Sequence, residues 1–296
     1  MSDALREILR RPRTEQPAAL RALRQAHTAA GEDWNTAFGP ASLYATWSGT
    51  ALVAGLYAAN RAALAPVLAR PGARVIEVGG GDGRLWSGID RASVGALTLV
   101  DPAPDAHARV RAALPAGWSM TSIVARLEDA ALPPADAAVC SLTLHHVAGG
   151  DATERAAHGL TGPGKRELLE RLRDAVVPGG LLLLNEADVY CDLALAPGDP
   201  VLRERLCDSY VRRCAVALLD ERTAADPERA ARLTAIVWRW CVDQLAVADH
   251  PIDQRDVYEL DIPRWRALLA AAGWSLRDHG FTDPYALFCQ YVAVRP

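Results

Sequence analysis

The chain has 296 residues, half of them hydrophobic and 23% charged, with a formal net charge of -4. That length buries a large core as one big domain or as one domain with an embellishment, and the mild negative balance supplies no overall field for nucleic acid or an anionic membrane. Six scattered cysteines (Cys140, Cys191, Cys207, Cys214, Cys241, Cys289) show no C-x-x-C pair and no zinc spacing, so they read as reduced thiols with no metal site. Met1–Gln16 lacks the apolar core of a secretory signal, and no apolar run approaches the length of a membrane span. The expectation is a cytoplasmic protein.

From Ser2 to about Arg70 the apolar spacing is helical, broken at Pro12 and Pro17 and at the aromatic turn Trp34–Pro40. A helix from about Ser42 carries Leu43, Tyr44, Trp47, Leu52 and Leu56 on one face, and these aromatics suit a core or a pocket lining. Ala73–Val78 then reads as a buried strand that runs into Gly79-Gly80-Gly81-Asp82-Gly83 and a helix from near Arg84. Glycines let the backbone come within contact distance of a ligand, and the helix start would aim N–H groups at it. A dinucleotide loop wants Gly-x-Gly-x-x-Gly, whose third glycine falls here on Arg84.

Ala96–Asp101 reads as a second strand ending in a carboxylate about twenty residues past the glycines, where a ribose-binding acid is expected. Such a group accepts from both vicinal hydroxyls in charge-assisted bonds; closing an Asp-Pro turn is the structural alternative. Ser119–Val124 is a third strand, and Asp136–Leu142 a fourth, with His145-His146 just past its carboxyl end, the edge where ligands sit in open α/β sheets. A histidine there is suited to take a proton, to bond the loop backbone or to pack on a ligand. Gly164–Val177 is a charged helix, and Val177-Pro178-Gly179-Gly180 turns into a fifth, fully buried strand. Asp188 to about Asp261 is too long for a simple connection; it holds helices over Val201–Leu219 and Ala225–Val247, with many arginines, mostly in surface pairs. A last helix begins with Pro263 at its first turn and stops at Gly273, followed by strands over Trp274–His279 and Ala286–Val294.

An acidic residue two before Gly-x-Gly-x-Gly (Glu77 to Gly83), the tandem histidine after the fourth strand, the Pro-Gly-Gly turn and the final strand pair together resemble the class I S-adenosylmethionine-dependent methyltransferases of small-molecule type. The resemblance covers roughly Arg70–Glu186 and Ile262 to the C-terminus. It implies an α/β, Rossmann-like seven-stranded sheet, mostly parallel with an antiparallel last strand. The division it implies is a helical lid over 1–70, a donor-binding domain over 71–187 and 262–296, and a helical substrate-side insertion over 188–261. S-adenosyl-L-methionine would be the donor and S-adenosyl-L-homocysteine the product, with Glu77, Gly79, Gly80, Gly81, Asp101, Leu127, Glu128 (or Asp129) and Ser141 around the donor.

The sulfonium is already an activated electrophile, so the protein must hold a nucleophile in line with it and, where needed, take a proton. His145, His146 and Tyr44 lead the candidates, ahead of Asp188, Tyr190 and His250. The expected partner is a small-molecule acceptor, with no nucleic acid and no membrane; a homodimer is left open. A nucleic-acid or protein methyltransferase would want a basic face or an Asn/Asp-Pro-Pro-Tyr/Phe-type motif after the fourth strand. A silent partner protein of the same fold would not need Glu77, Gly81 and Asp101.

Overall fold

The computed structural model describes residues 41–89, 93–160, 164–196, 198–247 and 257–296, with scattered positions between 4 and 23; the side chains of 41–44 and 238–247 lie outside the description. The expectations for Trp34, Phe38, His250, Trp238 and Trp240 therefore fall outside it, as does that for the side chain of Tyr44.

Seven strands form one sheet in the order β3-β2-β1-β4-β5-β7-β6. They are β1 (Ala73–Val78), β2 (Gly95–Val100), β3 (Ser119–Ile123), β4 (Ala135–Ser141), β5 (Val176–Ala187), β6 (Ser275–Phe281) and β7 (Phe288–Val294). Pairing is parallel from β3 through β5, and β7 runs antiparallel to both β5 and β6. The chain steps outward from β1 to β3 and then returns to place β4 on the other side of β1. That reversal makes the β1/β4 carboxyl ends a topological switch point, where the loops part and leave a crevice. One boundary differs from the sequence reading. The Pro178-Gly179-Gly180 turn lies inside β5, because pairing runs from Ala135↔Val176 to Ala137↔Leu181 and the intervening residues bulge out of register.

Helices α1 (Ala41–Ser48), α2 (Ala51–Leu68), α3 (Arg84–Ser87) and α4 (Pro104–Ala113) precede the β3 edge. Leu64 and Val67 of α2, Leu85 and Trp86, and Val110 of α4 bury one face of the sheet against Leu97, Leu99 and Val139. The other face is covered by α6 (Lys165–Ala175) and α10 (Ile262–Ala271), after the short α5 (Ala152–Ala156). Leu168, Leu169 and Leu172 meet Trp265, Leu268 and Leu269 there, at the i, i+3, i+4 spacing of a core-facing stripe.

A third cluster stands over the carboxyl end of β5 and the amino end of β7. Helices α7 (Pro200–Leu206), α8 (Arg212–Thr223) and α9 (Pro227–Val247) occupy the long connection, with a π-helical turn, Cys207–Val211, joining α7 to α8. Tyr210, Leu218, Leu233 and Ile236 from these helices pack with Trp47, Leu52 and Leu56 of α1 and α2 and with Phe288. Trp47 meets Phe288 edge to face at 6.0 Å. Of the two roles its position allowed, core or pocket lining, Trp47 takes the core, because the helices of the long connection supply apolar surface to bury it.

Helix α2 has 18 residues and a mean hydropathy of 1.4, enough by length and composition to cross a membrane, although the sequence reading saw no such run. Its Leu56, Asn60, Leu64 and Leu68 are nonetheless buried within this fold.

Candidate active site

The glycine loop starts where β1 ends. Gly79, Gly81 and Gly83 all have positive φ, which an L side chain adopts only at a cost. At Gly79 a Cβ would come 2.3 Å from Thr143 Oγ1, and at Gly80 one would press into Leu99 and Val110 at 2.7 Å. These two glycines therefore admit neighbouring parts of the fold, a reason the sequence reading had not given. The loop is held from outside as well: Arg109 Nε donates to the Gly81 carbonyl at 3.0 Å. Helix α3 is a single turn, Arg84–Ser87, so the helix-dipole contribution expected near Arg84 is small; a macrodipole needs a run of aligned peptides.

Two carboxylates sit beneath this loop. Asp101 Oδ2 accepts from Gly80 N–H at 3.0 Å and Oδ1 from Ala103 N–H at 2.8 Å. It closes the Asp-Pro turn and pins the glycine loop at once. Each oxygen retains a second lone-pair site, so the group can still accept from a pair of hydroxyls. Glu77 is buried and accepts from Trp86 Nε1 at 2.7 Å. Burial pushes its pKa up to about 8, against the lowering effect of the Trp86 bond, and the charges of Asp101 and Asp82 add to the rise.

Asp82 and Arg84 have a role that the motif did not reveal. Ser48 Oγ donates to Asp82 Oδ2 at 2.5 Å, and Arg84 Nε donates to the same oxygen at 2.8 Å while its Nη2 reaches the Ala45 carbonyl at 2.9 Å. The end of α1, the helix of Tyr44, is thereby latched to the glycine loop.

Across the crevice, the loop after β4 is organised by Glu186 at the end of β5. Its Oε1 accepts from Thr143 N–H at 3.1 Å and Leu144 N–H at 2.7 Å, and its Oε2 lies 2.8 Å from His145 Nδ1. Thr143 is the residue that touches Gly79, so the histidine loop and the glycine loop meet. With Nδ1–H directed to the carboxylate, Nε2 of His145 is the basic nitrogen. Burial opposes protonation of His145, but the charge of Glu186 and its hydrogen bond outweigh it and leave the pKa above the usual value. His146 is exposed and its ring lies 4.2 Å from that of His145.

Behind this pair is the chain's single lysine, Lys165, wholly buried. Its Nζ donates to the carbonyls of Val147 and His158 at 2.5 and 2.6 Å and sits 5.7 Å from the Tyr258 ring centre. Tyr258 N–H in turn donates to the His145 carbonyl at 2.6 Å. Burial pushes the ammonium down to about 7, with the charge of Glu186 acting the other way.

The remaining predicted residues are dispersed. Leu127 is buried in the core beside Ile76 and Val78, and Glu128 is exposed, its carbonyl taken by Arg171. Ser141 Oγ accepts from Asn60 Nδ2 at 3.0 Å and Asn185 Nδ2 at 3.3 Å, in a polar cluster that also includes Gln290. Its hydroxyl is committed toward α2, because Asn60 sits on the helix face that covers β4. Asp188 accepts from Ile262 N–H at 3.0 Å and caps the start of α10, and Tyr190 belongs to the insertion side. The Glu186–His145 pair was missed in the sequence, where Glu186 had only marked the end of a strand.

A family model described as a methyltransferase domain matches residues 51–251. The chain belongs to this methyltransferase family, and S-adenosylmethionine is its methyl donor. A search of curated proteins finds no match. Among solved structures the chain is similar to a possible exported protein from Bordetella parapertussis, at 19% identity over 81% of this chain and 67% of that one, TM-score 0.48. The N-methyltransferase NodS of Bradyrhizobium japonicum, in complex with S-adenosyl-L-homocysteine, matches at 11% identity over 84% and 89%, TM-score 0.42. An O-methyltransferase family 2 protein from Planctomyces limnophilus, complexed with apigenin, matches at 15% identity over 83% and 65%, TM-score 0.44. The residues at the switch point fit the donor: a strand-end carboxylate with acceptor capacity left for a diol, beside a loop whose glycines turn the backbone through positive φ.

Proposed function

We propose that the protein passes the donor's methyl group to a small-molecule acceptor, with His145 taking the acceptor's proton at Nε2. The donor supplies an electrophilic methyl on a good leaving group. Asp101 and the loop from Gly79 to Gly83 would hold its ribose and flanking groups, and the acceptor would lie against the loop after β4. The observation that carries the reading is the pair His145–Glu186, 2.8 Å apart, with His145 on the loop whose Thr143 packs against Gly79. A buried carboxylate that fixes an imidazole through Nδ1 leaves Nε2 oriented as a general base. The small-molecule part is supported by the net charge of -4, which supplies no overall field for a polynucleotide.

His145→Ala is expected to lower turnover by about 10²–10⁴-fold while calorimetric affinity for S-adenosylhomocysteine stays unchanged. Because Glu186 holds the imidazole pKa above its usual 6.5, the neutral base accumulates only at higher pH. The rising limb of kcat/KM should therefore lie above 6.5 and move down in Glu186→Gln. Full turnover in His145→Ala with a flat pH profile would remove the base role. Label from the donor found only in protein or RNA, with steep loss of activity in salt, would replace the small-molecule acceptor by a macromolecule.

A further inference from the structure

Three arginines of the insertion converge on one place. Arg205, Arg212 and Arg213 line an open groove of about 520 Å³ together with Tyr190, Tyr285 and Asp208. One wall is the helical run α7–α8, whose π-helical turn Cys207–Val211 lies between Arg205 and the other two. Such turns recur at functional sites because they re-aim the side chains that follow. The opposite wall is Tyr190, just past β5, and Tyr285, in the β6–β7 connection.

The groove's chemistry is cationic and flat. Among the described residues that line it one is a carboxylate, Asp208, 4.0 Å from Arg212, and the charge of Asp188 acts on Arg213. Arg213 Nη1 donates to the Ala286 carbonyl at 2.7 Å and ties the second wall to the first. Arg205 lies 5.8 Å from the Tyr190 ring centre. The tyrosine hydroxyls donate to carboxylates, Tyr285 to Asp220 at 3.0 Å and Tyr190 to Asp192 at 3.4 Å, which fixes the rings. Forked guanidinium donors match the planar, two-oxygen face of a carboxylate, and the ring faces suit an aromatic body. The volume is that of a small-molecule site. Its place is also suitable: Tyr190 is four residues beyond Glu186, a span of at most ~14 Å between Cα atoms, and Glu186 holds His145.

We propose that this groove docks the carboxylate of the acceptor, an aromatic organic acid whose methyl-accepting end extends toward His145; its assignment to the acceptor rests on the small-molecule reading above. The test titrates para-hydroxybenzoate and its neutral counterpart para-hydroxybenzamide into the full chain saturated with S-adenosylhomocysteine, by calorimetry and saturation-transfer NMR. The acid should bind at least about tenfold tighter than the amide, the ratio expected of one charge-assisted contact. Arg205→Gln combined with Arg212→Gln should bring the two within about twofold, with affinity for S-adenosylhomocysteine unchanged as the sign of an intact fold. Equal binding of acid and amide by the native protein, or an acid preference that survives both substitutions, overturns the groove assignment. Small-molecule turnover without any preference for acids sinks the groove alone. Arginine-dependent acid binding with methyl transfer only to a macromolecule instead sinks the small-molecule acceptor, and with it the groove's link to methyl transfer.

Discussion

The two halves of the sheet's carboxyl edge are built differently. On the half proposed for the donor, at β1 and β2, the site is built largely on backbone: a glycine loop, a carboxylate that holds it through Gly80 N–H, and a second carboxylate capped by Trp86. On the other half, at β4, β5 and β7, every contact that matters joins residues distant in the chain. Glu186 reaches back 41 residues to His145, Asn60 bonds Ser141 and Gln290 across the helix–sheet interface, and α1 shares a core with the insertion. A backbone-built site tolerates little change, since each residue is fixed by its own turn geometry. A side-chain-built site can be re-shaped by exchanging the helices above it. Substitutions on the donor half should therefore act on donor affinity and stability, and those on the other half on turnover and acceptor choice.

The largest expected effect is at the seam between the halves. Gly79→Val would drive a branched side chain into Thr143, at a φ that β-branched residues avoid. Donor affinity should fall by more than about 100-fold, or about 3 kcal/mol, and turnover should fall with it because Thr143 sits on the histidine loop. Calorimetry that found native affinity for S-adenosylhomocysteine would detach the glycine loop from the donor.

Asp101→Asn comes next. It keeps one oxygen acceptor but loses the charge and one of the two backbone bonds, and should cost about 1.5–3 kcal/mol of donor binding. Because Asp101 is nearly buried and bonded to Gly80 and Ala103, thermal unfolding should also show a loss of stability of about 1 kcal/mol. An unchanged donor affinity would sink the ribose assignment.

Glu77→Gln should have the smallest effect, and of opposite sign. Its pKa rises from 4.5 to about 8 on folding. The folded protein thus prefers the neutral acid while the unfolded chain ionises, so this group weakens stability progressively as pH climbs from 4.5 toward 8. A neutral amide that still accepts from Trp86 removes that penalty, at most about 3 kcal/mol near neutral pH; the buried amide NH2 that it introduces offsets part of this, so a gain of about 1–2 kcal/mol is expected, which disappears below the unfolded pKa. Denaturant unfolding at several pH values checks it; a gain that does not vary with pH would show that ionisation is not its source.

The sequence by itself determined the sheet, the glycine loop after β1 and the carboxylate after β2, because each is written in a local pattern. Alternating or continuous apolar runs give the strands, glycines give the positive φ of the loop, and the strand's length puts Asp101 at its end. The family and the donor followed from the same contiguous residues. It did not determine which titratable side chains meet. His145 was legible as a position but not as half of a pair, since nothing near it in the chain marks Glu186 as its partner. Trp47 looked equally suited to lining and to core until Phe288 and the insertion were seen to cover it. Ser141 was expected beside the donor, and only the packing of α2 turned its hydroxyl to Asn60. Lys165 seemed a surface charge on an amphipathic helix, and tertiary structure buried it between two carbonyls and the Tyr258 ring. The physical reason is common to all four. Periodicity encodes which face of an element is buried, whereas the partner on that face is chosen by the tertiary packing, which joins His145 to Glu186 across 41 positions and Ser141 to Asn60 across 81.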